Sequence, residues 1–295
     1  MTVTPVNIGG KLIGPDEPCY IIGEIGINHN GSLETAKKLI DHALKCGFSA
    51  VKFQKRTVDV VYTPEELAKP RESVFGTTNG DLKRGLEFGK DEFREIDAYC
   101  KEKGIEWMCS PWDEASVDFL EEFNPICYKI ASACLTDSGL LGKIVASGRP
   151  VILSTGMSTM EEIDKAVESL KGNPLVILHS ISTYPAKHEE LNLAVIRTLR
   201  KRYPHPIGYS GHEVDVIPSV MAVVGFGACV VERHITLDRA MWGSDQAASL
   251  EPRGMEMMAK YIRTWREVSG DGVKRVYETE LPIRTKLRRV GSGVN

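Results

Sequence analysis

The 295-residue sequence has no apolar run near the roughly 20 residues that would carry a helix across a bilayer. Its start, MTVTPVNIGGKLIG, lacks the basic segment and apolar stretch of a secretory leader. Neither sign of charge dominates. The 37 basic and 40 acidic residues leave a formal net charge of −3, so no surplus of Lys and Arg marks a nucleic-acid or membrane surface. No CxxC pair occurs among Cys19, Cys46, Cys100, Cys109, Cys127, Cys134 and Cys229. An odd, dispersed set predicts reduced, mostly buried thiols in a cytoplasmic protein. A GxGxxG fingerprint is also missing after the first predicted strand, which disfavours an open doubly wound sheet.

What remains is an ordinary globular balance, 42% hydrophobic and 26% charged, arranged with a rhythm. Short apolar runs rich in Ile, Val, Tyr or Cys fall at 19–26, 49–54, 105–110, 126–132, 150–155, 174–180, 206–211 and 229–235. Each has a strand's length. Between them lie amphipathic stretches. Over 32–46, Leu33, Ala36, Leu39, Ile40 and Ala43 repeat with helical period behind a Ser32 N-cap. Ser158 and Glu161 have capping-box spacing before a helix near 159–170. Further helices are predicted near 91–103, 113–122, 136–147, 190–202, 215–226 and 252–268. Eight strands alternating with helices predict a parallel (β/α)₈ TIM barrel, an α/β fold, spanning residues 1–270. Residues 3–14, with a Gly-Gly turn, predict a β-hairpin capping one barrel end. Residues 55–90 are too long for a simple connection and predict a lid. Residues 271–295 form a polar, basic tail ending in Arg284, Lys286, Arg288 and Arg289.

Catalytic groups of such barrels sit at the C-terminal ends of strands. There the sequence places Glu24; Lys52 and Gln54; Ser110; Lys129 and Ser132; Ser154; Ser182 and Tyr184; Ser210 and His212; and Glu232 and His234. Residues two apart share a strand face, so Lys52 with Gln54, Ser210 with His212 and Glu232 with His234 are each expected to point inward together. Two buried lysines among serines suggest a bound polyanion, ammonium groups supplying charge and hydroxyls supplying hydrogen bonds. Capping serines and snorkelling lysines are the structural alternative. His212 and His234, on neighbouring strands, suit one divalent metal, though spacing does not choose among Mn²⁺, Fe²⁺ and Zn²⁺. A purely structural role for the two histidines is equally open. His42, His188 and His205 fall on predicted surface segments, and His179 is ambiguous.

The segments 23-GEIGINHNGSLETAKKLI-40, 51-VKFQ-54, 128-YKIAS-132, 150-PVILSTGMS-158, 207-IGYSGHE-213, 232-ERHITLD-238 and 243-GSDQAASLEP-252 resemble, in order, the N-acetylneuraminate (sialic acid) synthase family. The resemblance implies a cytoplasmic homodimer that condenses phosphoenolpyruvate with N-acetylmannosamine or a related N-acetylated amino sugar. It implies that Lys52, Lys129, Ser132, Ser154 and Ser210 hold the phosphate and carboxylate of phosphoenolpyruvate, with Ser110 standing where the family often has Thr. His212 and His234 would bind the metal, Mn²⁺ first, with Mg²⁺ or Co²⁺ as alternatives. Glu24, Gln54, Tyr184 and Asp245 would contact the sugar or the metal-bound water, with Glu24, Lys52, Lys129 and Asp245 carrying the catalysis.

Three departures concern the sugar. Gln246 replaces the family's histidine, Ser182 stands where N-acetylneuraminate-specific members often have Asn, and the family's C-terminal antifreeze-like domain is expected to begin about where this sequence stops. The resemblance therefore leaves open another nonulosonate acceptor, or a sugar phosphate met by Lys55, Arg56 or Arg239. A metal-dependent isomerase or aldolase, and a non-catalytic ligand-binding barrel, also remain on the same scaffold.

Overall fold

A computed structural model describes residues 2–290 of the chain. Its first element is the expected hairpin, β1 (Val6–Ile8) against β2 (Lys11–Ile13), with Ile8 opposite Lys11. Gly9 and Gly10 take φ of +57° and +79°, the left-handed pair that a two-residue hairpin turn requires.

The chain then alternates strand and helix: β3 (Tyr20–Gly26), α1 (Leu33–Lys45) and β4 (Ala50–Lys55). An excursion follows, made of α2 (Val58–Val61), α3 (Pro64–Leu67), β5 (Pro70–Ser73), β6 (Gly76–Thr78) and α4 (Asn79–Leu86). The alternation resumes with α5 (Lys90–Lys103), β7 (Glu106–Pro111), α6 (Glu114–Glu121), β8 (Tyr128–Ile130) and α7 (Ser138–Ala146). It ends with β9 (Val151–Ser154), α8 (Met160–Ser169), β10 (Leu175–Ser180), α9 (Ala194–Arg202), β11 (Ile207–Gly211), α10 (Ile217–Val224), β12 (Val230–His234) and α11 (Pro252–Ser269). The eight long-range strands pair in parallel in the order β3-β4-β7-β8-β9-β10-β11-β12, and β12 closes on β3. This is the (β/α)₈ barrel.

Strand alternation divides the buried residues into two layers. Outward residues such as Val51, Phe53, Val151, Leu153, Ile177 and Val231 meet the helices, from which α1 contributes Ala36, Leu39, Ile40 and Ala43. Ser32 caps α1 by accepting from the Thr35 N–H at 3.2 Å. Inward residues Tyr20, Ile22, Ala50, Met108, Ile152 and Leu178 fill the barrel floor, sealed by Val6, Ile8 and Ile13 of the hairpin.

Several expected boundaries move. Thr159, rather than Ser158, caps α8, accepting from the Glu162 N–H while Glu162 bonds the Thr159 N–H. Ser132 lies beyond β8, opening a 3₁₀ turn of residues Ser132–Cys134. The lid region carries its own antiparallel pair, β5 with β6, and reaches across the barrel mouth, where Phe75 meets the Trp242 ring edge-on at 5.9 Å. Beyond α11, residues 271–290 of the expected polar tail are largely exposed and hold a 3₁₀ turn (Glu278–Glu280) and a short helix, α12 (Leu281–Leu287), while 291–295 lie outside the described residues.

Candidate active site

Above the apolar floor, the inward positions turn polar within one strand step. Ile22 is followed by Glu24, Ala50 by Lys52, Met108 by Ser110, Ile152 by Ser154, Leu178 by Ser180 and Val230 by Glu232. Lys52 Nζ lies 2.9 Å from Glu24 Oε2, donates to Ser110 Oγ at 3.0 Å and stands 3.7 Å from Glu232 Oε1. Lys129 Nζ donates to Ser154 Oγ at 2.6 Å and lies 3.6 Å from the same Glu232 oxygen. Ser210 Oγ donates to that oxygen as well, at 3.2 Å. The two lysines are therefore balanced by two carboxylates within the protein. Inferring a polyanion from the lysines alone overlooks Glu232, which bridges both.

Buried charges in such a ladder set one another's protonation. Burial raises Glu24 to about 6 against the opposing pull of Lys52. Burial lowers Lys129 to about 8, with Glu232 resisting. Burial also works against the Lys52 ammonium, but Glu232 and Glu24 outweigh it and hold its pKa above the ordinary value. Desolvation likewise opposes the Glu232 charge, and Lys129 and Lys52 together overcome it.

The register that pairs Ser210 with Glu232 brings His212 and His234 alongside, with ring centroids 5.4 Å apart. Burial pushes His212 down to about 3 and His234 down to about 4, so both are neutral imidazoles at neutral pH, the form a metal requires. His212 Nδ1 faces the Ile181 carbonyl, which leaves Nε2 as the free lone pair; the Tyr184 hydroxyl donates to it at 2.9 Å. His234 Nδ1 is buried without a hydrogen-bond partner, 3.8 Å from Asp245 Oδ2. Two neutral imidazoles, one with an orphaned nitrogen, fit a divalent cation. Among the described residues no group of three or more His, Cys, Asp and Glu side chains encloses such a site.

The strands bearing these histidines are braced on their outer face. Fully buried Arg233 donates through Nη1 to Glu213 Oε1 at 2.9 Å, to Ser219 Oγ at 2.9 Å and to the Asp215 carbonyl at 2.8 Å. Tyr209 donates to the other Glu213 oxygen at 2.8 Å. Arg233 lies between Glu232 and His234, and Glu213 follows His212, so this cluster locks both inner rows.

The remaining wall holds Ser132, Ser182, Trp112 and Met157. The Gly156 N–H donates to Ser132 Oγ at 3.0 Å, and a methyl group at Gly156 would collide with both Ser182 Oγ and Ser132 Oγ. Gln54 donates to Glu24 Oε1 at 2.6 Å, and Arg56 donates to the Gln54 oxygen behind it. A β-bulge follows Glu24, and Gly26 (φ +52°) leaves the space these groups need.

Of the fourteen residues singled out from the sequence, thirteen line this cleft: Glu24, Lys52, Gln54, Ser110, Lys129, Ser132, Ser154, Ser182, Tyr184, Ser210, His212, Glu232 and His234. Asp245 stands behind His234. Gln246 is buried outside the cleft, donating to the Asn28 carbonyl and to Asn30 Oδ1 at 3.4 Å each. His179 faces the Leu191 carbonyl at 2.7 Å, a structural contact. Parity with His234 points Glu232 inward from the sequence, without giving it a role. Trp112 and Met157 go unmarked there, since both follow strand ends with no periodic signal.

A closed barrel whose mouth joins a lysine–carboxylate ladder to two neutral imidazoles has the framework of a barrel enzyme's active site. The chain belongs to the NeuB family, which matches residues 39–274. It is 39% identical over 283 residues to the N-acetylneuraminate-9-phosphate synthase of Homo sapiens, covering 94% of this chain and 79% of that protein. It is 35% identical over 291 residues to the N,N'-diacetyllegionaminic acid synthase of Legionella pneumophila, covering 95% and 82%. The crystal structure of N-acetylneuraminic acid synthetase from Leptospira borgpetersenii in complex with citrate superposes with a TM-score of 0.84 at 31% identity, covering 97% of this chain and 98% of that one. The family's synthases make nonulosonic acids of the sialic, legionaminic and pseudaminic kinds.

Proposed function

We propose that the chain condenses phosphoenolpyruvate with an open-chain N-acylated hexosamine, N-acetylmannosamine or a close relative, to give a nonulosonic acid and phosphate. The observation that carries this reading is the ladder itself, two ammonium groups and their serines directly below two neutral histidines. Phosphoenolpyruvate places its phosphate and carboxylate among Lys52, Lys129, Ser110, Ser132, Ser154 and Ser210, and the hydroxyl and ammonium donors stabilise charge as it develops. A divalent cation held by His212 and His234, Mn²⁺ or else Mg²⁺ or Co²⁺, would supply Lewis-acid polarisation of the aldehyde oxygen. A carbon–carbon bond forms between carbon 3 of phosphoenolpyruvate and the aldehyde carbon, whose oxygen takes a proton. Water adds at carbon 2, and the bond from carbon 2 to the phosphate oxygen then breaks. Glu24, fixed by Lys52 and Gln54, is placed to accept a proton from the water, and Tyr184 and Asp245 orient the acceptor.

Incubation with Mn²⁺, phosphoenolpyruvate and N-acetylmannosamine or its 6-phosphate is expected to release inorganic phosphate. His234→Ala should abolish both that release and the calorimetric heat of Mn²⁺ binding. Metal binding and turnover that survive the substitution would count against the catalytic site as drawn.

A further inference from the structure

Of the three cations that the sequence offers for an acceptor phosphate, Lys55 and Arg239 are engaged by the main-chain carbonyls of Phe88, Ser249 and Val214. The third, Arg56, lies just past the end of β4 and two residues beyond Gln54. It is 4% exposed and stands behind the catalytic cleft without lining it. Its Nη2 donates to Gln54 Oε1, while its Nη1 lies 3.3 Å from Glu87 Oε1 at the end of the lid. The other Glu87 oxygen accepts the Arg56 main-chain N–H at 3.1 Å. The guanidinium carbon lies 4.7 Å from the centre of the Trp112 ring. One buried cation thus ties two cleft residues, Gln54 and Trp112, to the lid.

The contact with Gln54 has a chemical direction. A glutamine amide donates from nitrogen and accepts at oxygen, and turning it over hardly changes its shape. Gln54 lies between Glu24 and Arg56, so each sense of the amide suits a different state of Glu24. With Nε2 toward Glu24 Oε1, as found at 2.6 Å, the carboxylate accepts and stays ionised. With the amide oxygen there instead, two acceptors would meet unless Glu24 carried a proton to donate. The other Glu24 oxygen is held at 2.9 Å by Lys52, whose ammonium only donates. Of these two groups on Glu24, the amide alone can be reversed. A guanidinium has no acceptor, so Arg56 meets only the amide oxygen. It admits the first sense and rejects the second.

We propose that Arg56 is a positioning residue that fixes the Gln54 amide with its nitrogen toward Glu24 and so keeps Glu24 an acceptor for the proton of the attacking water. What Glu24 does there rests on the condensation proposed above; how Gln54 is turned does not.

Gln54 and Gln246 are the only glutamines in the sequence. Protein labelled with nitrogen-15 at the glutamine side-chain amides therefore gives two pairs of amide protons in an NMR spectrum, and Gln54→Met identifies them. The Gln54 pair should be slow to exchange with water. Arg56→Met should shift that pair and speed its exchange by about tenfold or more, as loss of a hydrogen bond to a charged group implies, and leave the Gln246 pair in place. In phosphate release, Arg56→Met should lower kcat by about tenfold, with KM for phosphoenolpyruvate within about twofold. Arg56→Lys, which keeps a donor without the fork, should recover part of that loss. With Gln54→Met already present, Arg56→Met should have little further effect, the non-additivity of groups acting through one contact.

An equal loss of kcat in both backgrounds overturns the proposal and makes Arg56 a brace for Trp112 and the lid. A Gln54 pair unmoved by Arg56→Met overturns it whether or not the protein turns over. A pair that responds in a protein releasing no phosphate supports the positioning of Gln54 and removes only the condensation. Should Arg56→Met fail to fold, Arg56→Gln, whose amide donates or accepts alike, replaces it with the same expectations.

Discussion

Two levels of the same barrel interior are built by opposite rules. On the floor, Ile22, Met108, Ile152, Val176 and Leu178 pack against the hairpin residues Val6, Ile8 and Ile13. Each such side chain contributes about 1.5–3 kcal/mol by leaving water. One strand step higher the barrel interior carries Glu24, Lys52, Lys129 and Glu232, each nearly as inaccessible as the floor residues. Removing those ions from water costs several kcal/mol apiece, and their mutual attraction only roughly offsets it. Equal burial thus has opposite thermodynamic meaning. The floor stabilises the barrel, and the mouth draws on that stability to hold charges where a substrate needs them.

The largest expected effect comes from emptying half of the ladder. Lys129→Met combined with Glu232→Leu removes one opposed pair and leaves Lys52 with Glu24. Phosphate release should fall by about 10³-fold, the upper range for losing a preorganised donor. Stability to urea should hold or rise by up to about 4 kcal/mol, as when buried ion pairs give way to apolar groups. A loss of several kcal/mol instead would make the mouth as structural as the floor. Next is Ile8→Ala in the hairpin, a fully buried position. It should cost about 2–5 kcal/mol in the urea transition while KM for phosphoenolpyruvate stays within about twofold, since well-separated sites act independently. A change in KM without the stability loss would mean that the floor takes part in binding.

The smallest effect is a pH profile. A raised carboxyl pKa means that Glu24 keeps its proton to higher pH, so its charge is lost as pH falls through about 6. A lowered ammonium pKa means that Lys129 loses its charge as pH rises through about 8. With both charged forms required, kcat/KM for phosphoenolpyruvate should rise through the first value and decline through the second. Lys129→Arg keeps its charge at any accessible pH, so the alkaline limb should move upward in whatever activity remains. A flat profile from pH 5 to 9 would separate the ladder from the chemistry.

Much of this arrangement was legible in the sequence because it is local. Strand length, alternation and the position after each apolar run located thirteen cleft residues. What stayed hidden depends on closure. Glu232 meets Lys52 only because β12 hydrogen-bonds to β3 and β4 lies beside it, a contact spanning most of the chain. The cap of α8 was ambiguous for another reason. The run Ser158-Thr159-Met160-Glu161-Glu162 offers two overlapping capping boxes, and the burial of Ile163 and Ala166 selects the second. Lys55, offered by the sequence for an acceptor phosphate, instead donates to the Phe88 carbonyl at 2.9 Å, since the alternation that places Lys52 and Gln54 inside turns an odd position on β4 toward the helices. The internal structure of the lid was invisible because 55–90 shows no single period from which a shape can be read.

Closure also has a consequence for the order in which the molecule comes into being. His234 sits beside Glu24 in register, so one site is assembled from opposite ends of the barrel-forming chain. A nascent chain emerging from the ribosome holds Lys52 and Lys129 long before Glu232 exists to neutralise them. Until β12 docks, β3 and β11 are raw edges that invite pairing with other chains. Substrate affinity and protection from aggregation should therefore arrive together, at the last strand, and a fragment ending before residue 230 should have neither.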